Sequence, residues 1–299
     1  MSSIQKLRAS AMLFGLSLAL GGCSRAAPPS QFPSADQALE RMHATYACSR
    51  GVRGEAKLDY FGEAGHVRGD LLYLAMLPDH VRLDVVSPFG ATLSTLTSDG
   101  QRFSLYDLRQ KQFLQGPANE CNLARFTNVP MPPHALVQLL RGEAPVLLHE
   151  PGGTRIEWRG GRYVLDIDSR HAAHETIELL PLESDWNRPF AEQHVIVLGV
   201  HIAELDVRLY DVELRGHRQV RTAPPWTDPD GLDPPILPSG PSCSVPVPTR
   251  IRIEVPEVDH DLLLENKETV LNPPLQPGAF GQEVPSGVAV RESRCGGRP

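Results

Sequence analysis

Strict alternation of apolar and charged residues is what most limits how this chain can fold. In 250–255, Ile251, Ile253 and Val255 alternate with Arg250, Arg252 and Glu254. An extended backbone with one face buried and the other wet satisfies that pattern, and a helix does not. The same period runs through 51–61, where Val52, Ala56, Leu58 and Tyr60 alternate with Arg53, Glu55, Lys57 and Asp59. It returns in 80–86, where Val81, Leu83 and Val85 alternate with Arg82 and Asp84. Turn residues separate the runs: Gly62 to Gly65, Pro78-Asp79, Pro88-Phe89-Gly90 and Asp99-Gly100, the last a strong hairpin signal. Further strands are expected at 66–77, 91–97, 102–108, 111–115, 154–158, 162–168, 174–180 and 203–215. In the last of these the apolar parity changes near Tyr210, which points to a bulge.

Two segments break the strand period. Ser34 followed by Gln37 reads as a capping box, and Leu39, Met42 and Tyr46 recur at helical spacing through 35–47. Pro132-Pro133 opens a second helix with Leu136, Leu139 and Leu140 as its stripe and Gly142 at its end. Residues 222–248 are rich in proline and are expected as a long inserted loop, not a central strand. The sum is mainly β. A sheet this long with one apolar face must curl over something. It closes into a barrel, or it stays open with the helices as a lid; the pattern leaves both available.

The first 22 residues carry Lys6 and Arg8, then an apolar run from Ala9 to Leu20, then Gly21-Gly22. That is the order of a secretory signal peptide, and the apolar run falls short of the ~20 residues a membrane-spanning helix requires. Cys23 stands directly behind the small residues. Leu20-Gly21-Gly22-Cys23 resembles the lipobox of bacterial lipoproteins. The resemblance implies cleavage before Cys23, a diacylglycerol and an N-acyl chain (palmitate or similar) on it, and no other cofactor. Residues 23–33 would then be a lipidated, proline-containing tether. Ser24, where an Asp would favour the inner membrane, implies the outer membrane facing the periplasm.

The chain has 29 Lys+Arg and 36 Asp+Glu, a net charge of −7. Removing residues 1–22 takes away two cations and no acid, so the exported form is more acidic still. Such a chain has no electrostatic footprint for nucleic acid. Besides Cys23 there are Cys48, Cys121, Cys243 and Cys295, an even number in a chain read as exported, where disulfides persist. Four cysteines allow three connectivities. Cys48–Cys121 with Cys243–Cys295 keeps each pair within one half of the chain and is the expected pairing.

The stretch from Arg82 to Leu93, with Ser87-Pro88-Phe89-Gly90 between two strands, resembles the LolA/LolB-like family of outer-membrane lipoprotein-sorting proteins, as does Val129-Pro130-Met131-Pro132-Pro133 leading the second helix. Glu268 to Phe280 is similar to that group's last part, more loosely. The resemblance implies an unclosed antiparallel half-barrel of about eleven strands over 34–290, with short helices as a lid and a C-terminal tail at 291–299. It implies an apolar cavity for acyl chains, lined here by Met42, Leu58, Tyr60, Leu83, Val85, Leu93 and Leu139. It makes Pro88, Phe89 and Gly90 the loop that meets the membrane. Partners would be the membrane through the lipid anchor, lipid or lipoprotein acyl chains, and a periplasmic carrier protein. The extra cysteines and the 222–248 insert depart from the family pattern.

Catalytic motifs are missing from the sequence: it has no G-x-S-x-G, no H-E-x-x-H and no glycine-rich phosphate loop. His171-x-x-His174-Glu175 reads as a solvated turn, and Asp166 and Asp168 as an exposed strand face. No metal site is expected, and the chain is not expected to be an enzyme. The alternative to a lipid-transfer protein is an envelope lipoprotein that uses the same fold as a structural or protein-binding module.

Overall fold

A computed structural model describes residues 25–62 and 65–293. Cys23, the segment before it, and Cys295 lie outside the described residues. The strands are β1 (Gly51–Gly62), β2 (Gly65–Met76), β3 (His80–Val86), β4 (Thr92–Asp99), β5 (Arg102–Asp107), β6 (Gln112–Pro117), β7 (His149–Arg159) and β8 (Arg162–Ser169). They continue with β9 (Ala173–Pro181), β10 (Val195–Glu204), β11 (Val207–Arg215), β12 (Arg218–Arg221), β13 (Ser244–Val247), β14 (Arg250–Val255), β15 (His260–Leu271) and β16 (Ala289–Glu292). Among the described residues three α-helices accompany them: α1 (Ala35–Tyr46), α2 (Glu120–Thr127) and α3 (Pro133–Arg141).

Fourteen strands form one unclosed sheet in the order β16-β6-β5-β4-β3-β2-β1-β15-β14-β11-β10-β9-β8-β7. Neighbours are antiparallel except β16, which runs parallel to β6. The sheet is larger than expected because β10, β15 and β16 join it. The expected strand at 203–215 is two strands: the chain reverses at Leu205-Asp206, both with positive φ. The bulge near Tyr210 is there, since Ile202 pairs with Tyr210 and Ala203 with Arg208, leaving Leu209 over. The proline-rich segment stays out of the large sheet, as expected, but its end forms β13, which pairs with β12 in a separate ribbon.

Local chemistry fixes the helices. The Ser34 hydroxyl accepts the Gln37 N–H at 3.3 Å. Gln37 Oε1 accepts no bond, so the reciprocal half of a capping box is not made. Gly142 ends α3 at φ 90°, and a Cβ there would press on Pro248 at 2.8 Å. The unanticipated α2 is capped by Asn119, whose side chain accepts the Asn122 N–H at 3.0 Å. Helix α3 packs on β1, β2 and β3, while α1 packs on β10 and β7.

Cys48 is bonded to Cys243, so neither half of the expected pairing is right. Cys121 is disulfide-bonded as well. Closeness in sequence misleads here because the insert folds back beside the end of β15. Asn272 holds that junction: its side-chain amide donates to Cys48 O (2.9 Å) and Pro241 O (2.8 Å), and its oxygen accepts the Arg50 N–H (2.7 Å).

Residues 25–33 are not a free tether. Trp158 Nε1 donates to Arg25 O at 3.1 Å, and the Arg25 guanidinium lies 3.7 Å from the Trp186 ring centroid. Phe32 is buried, 4.9 Å from Tyr163 between ring centroids.

Candidate functional site: an apolar cavity with an exposed rim

The inward residues of β1 to β5, β14 and β15 face α3 and the chain between α2 and α3. They leave a cavity of about 300 Å³. That is at the low end of the range for small-molecule sites, roughly 300–1,000 Å³. Leu58, Tyr60, Leu83, Val85, Leu93 and Leu139 all line it. Met42 does not: it is fully buried on α1, which covers a different part of the sheet. Sequence reasoning missed the contributions of Ile251 and Ile253, whose alternation was plain, and of Leu264, on a strand it did not expect, because the pairing of β14 and β15 beside β1 leaves no local trace.

The polar part of the lining is gathered at one place: Ser94, Asp107, Arg109, Arg125, Thr127 and Asn128. Asp107 and Arg109 flank the β5–β6 turn. His260, at the start of β15, donates from Nδ1 to Asn128 O at 3.3 Å and ties the α2–α3 connection to the same end of the sheet. The mouth therefore lies on the rim formed by the β5–β6, β3–β4, β1–β2, β14–β15, β10–β11 and β8–β9 turns.

That rim is apolar at its tips. Phe89 is 96% exposed, held on a turn in which Gly90 has φ 82° and donates its N–H to Ser87 O at 2.9 Å. Leu108, Phe61, Val67, Val258, Leu205 and Val207 are also exposed on or beside successive turns of this rim. Among the described residues, the turns of the opposite rim expose only Leu77 in this way, although the insert there bears Trp226, Leu232 and Leu237. Scattered surface hydrophobics are ordinary. A row of them along one rim, at a cavity mouth, is not scatter.

The polar positions noted in the sequence are distributed as strand parity dictates. His174 faces outward to Asp168 (2.9 Å), and Asp166 accepts from Thr176 (2.9 Å). Glu175, one residue on, faces inward and is fully buried. The His-x-x-His-Glu motif is thus split between two faces. No group of three His, Cys, Asp or Glu suited to a metal occurs among the described residues.

No family model matches the chain. No curated protein matches it either. Solved structures do. A DUF1329 family protein from Desulfovibrio piger ATCC 29098 is similar at TM-score 0.52 and 10% identity, over 82% of this chain and 94% of that one. A LolA superfamily protein from Nitrosomonas europaea gives TM-score 0.49 at 10% identity, over 83% of this chain and 98% of the other. A domain described as a candidate outer membrane lipoprotein-sorting protein, from Vibrio parahaemolyticus, gives 0.48 at 10% identity, over 81% and 95%. The likeness to the Desulfovibrio protein is one of fold: a large unclosed sheet carrying a few helices.

Proposed function

We propose that this chain is an outer-membrane-anchored, periplasm-facing lipoprotein of the LolB-like kind, which holds acyl chains in its cavity and passes them to a membrane. Cys23 carries the lipid. A periplasmic carrier supplies the cargo, and the chain makes and breaks no bonds. One observation carries this reading: an apolar cavity opens at the rim on which Phe89 stands free. Each methylene leaving water gains ~0.8 kcal/mol in an apolar cavity, and a similar amount in a bilayer. The hand-over is therefore nearly balanced and needs only a guided path. Burying one aromatic at the tip adds roughly 1.5–3 kcal/mol, enough to hold the mouth against lipid and too little to replace the anchor.

The test uses two variants. Phe89→Glu alters a side chain that supports no packing, so folding and uptake of a fluorescent acyl probe are expected to persist while transfer to vesicles slows several-fold. Leu139→Trp fills the cavity and is expected to abolish uptake itself. Unchanged transfer in the first variant removes the tip role, and unchanged uptake in the second removes the cavity.

A protein-binding module is the second reading. It is favoured by the insert, which exposes Leu232 and Leu237 and is stitched to the end of α1 by the Cys48–Cys243 bond. Mass spectrometry of the purified Cys23→Ser chain separates the two. Co-purifying acyl lipid supports transfer, and an empty chain that takes up no probe supports the module.

A further inference from the structure

We infer that the cavity takes acyl tails that end in an anionic head group, and that Arg109 and Arg125 receive the head. The inference rests on the acyl-chain reading above and adds to it the class of ligand.

Volume sets how much tail is held. The cavity measures about 300 Å³. One water-sized group needs roughly 10–15 Å³ of such space, so the cavity takes on the order of 20–30 methylenes, one long tail or two of medium length.

Charge sets the head. The chain as a whole is acidic, at −7. Yet the mouth presents two guanidinium groups against one carboxylate, Asp107. Asp107 Oδ1 is engaged in its own turn, accepting the N–H of Arg109 at 2.8 Å and of Gln110 at 3.0 Å. Arg109 and Arg125 are exposed and form no ion pair among the described residues. Arg68, Arg82, Arg155, Arg250 and Arg252, on the sheet's outer face, are each paired with an acid, and the exposed Arg53 and Arg102, which are not, lie away from the cavity. Unpaired guanidinium forks beside a hydrocarbon slot match a carboxylate or phosphate at the end of a tail. An ammonium head at the same place is repelled. A fatty-acid carboxylate and a lysophospholipid phosphate share this chemistry.

Four probes test it on the Cys23→Ser chain, which has no acyl groups of its own to compete. They are dodecanoate, lauroyl-lysophosphatidylglycerol, dodecyltrimethylammonium and dilauroyl-phosphatidylglycerol, read by native mass spectrometry and by displacement of a fluorescent acyl probe. Dodecanoate and the lysolipid are expected to bind, and the ammonium at least about tenfold more weakly, a gap that Arg109→Gln with Arg125→Gln narrows to about twofold. Both arginines are exposed, so the variant is expected to keep the parent melting temperature; the two single variants stand in if it does not. Tighter binding of dodecanoate assigns the head to a carboxylate, and tighter binding of the lysolipid to a phosphate. Equal binding of carboxylate and ammonium probes overturns the head-group assignment and leaves the acyl cavity standing. Dilauroyl-phosphatidylglycerol shares the anionic head and is expected to lose affinity in the arginine variants as the lysolipid does; binding indifferent to them overturns the head-group assignment. Failure of every tail to bind overturns the acyl-cavity reading itself.

Discussion

Glu175 lies on β9 between His174 and Thr176, and its side chain points inward. Its Oε2 accepts the Leu147 N–H at 2.9 Å, while Oε1 accepts nothing. Burial pushes its pKa up to about 8, against a smaller opposing pull from the Leu147 N–H. In the unfolded chain a glutamate titrates near ~4.3. Between that value and about 8 the unfolded state has released a proton that the folded state keeps. Stability is therefore full below the unfolded pKa and is lost as pH rises to the folded one. Glu175→Gln keeps an acceptor for Leu147 and removes the ionisation. Urea titrations are expected to find the variant level with the parent at acid pH. At alkaline pH it should be more stable by a few kcal/mol, since each tenfold difference in proton affinity between the two states is worth about 1.4 kcal/mol. A gap that stays constant across the range would refute the assignment. Reading 171–175 as a solvated turn missed this residue, because a short polar run gives no clue that its last member has crossed to the core face. Phe89 was easier to foresee: proline before it and glycine after it fix a tip whatever the rest of the sheet does.

A buried ion pair at the end of α3, Arg141 with Glu143, holds α1 against it. Arg141 is 1% exposed; Nη1 meets Glu143 Oε2 at 2.7 Å and Nη2 donates to Tyr46 O at 3.0 Å. His43 Nδ1 reaches the other oxygen of Glu143 at 2.7 Å. Arg141→Met leaves the buried Glu143 carboxylate with His43 alone and is expected to cost about 3–5 kcal/mol, whereas Arg141→Met with Glu143→Met restores most of it. Equal losses in the single and double variants would show that the pair is not coupled. The disulfide acts at the same end of α1. It spans 195 residues, and replacing both cysteines by serine is expected to lower stability by about 2–5 kcal/mol in chemical unfolding. Non-reducing peptide mapping should recover Cys48 with Cys243. It should also recover Cys121 with Cys295, the one cysteine left if Cys23 is acylated; a free thiol at Cys295 would refute that. Both α1 and α3 were legible, since each carries an apolar stripe and a start signal. Helix α2 was not: its eight residues, Glu-Cys-Asn-Leu-Ala-Arg-Phe-Thr, bury only Asn122 and Leu123 and show no stripe. The contacts of Arg141 and Glu143 with α1, and the disulfide, were hidden for a different reason. Both join segments that meet only after the sheet has formed.

Strand parity told which residues face inward, and six of the seven expected lining residues do border the cavity. It gave no order of strands, so it left unseen that β15 lies between β1 and β14 and that α1 and α3 cover separate stretches of a fourteen-stranded sheet. That arrangement also sets where the tether goes. Residues 25–32 are seated by Trp158, Trp186 and Tyr163, at the β7–β8 hairpin end, while Phe89 and the mouth lie on the opposite rim. With residues 25–32 seated, Arg25 and the mouth belong to opposite rims, which under the function proposed above suits loading from a soluble carrier. Under the same proposal, delivery into the protein's own membrane calls for release of this segment. The Arg25–Trp186 contact is worth on the order of 0.5–2 kcal/mol, so its loss shifts the seated population without disturbing the core. Trp186→Ala, acylated and reconstituted in vesicles, is expected to speed probe delivery into its own vesicles and to leave delivery into separate acceptor vesicles unchanged. The ratio of the two rates isolates the tether from any effect on the cavity, because a change in affinity moves both together. An unaltered ratio would mean that the seated segment does not govern which membrane the mouth can reach.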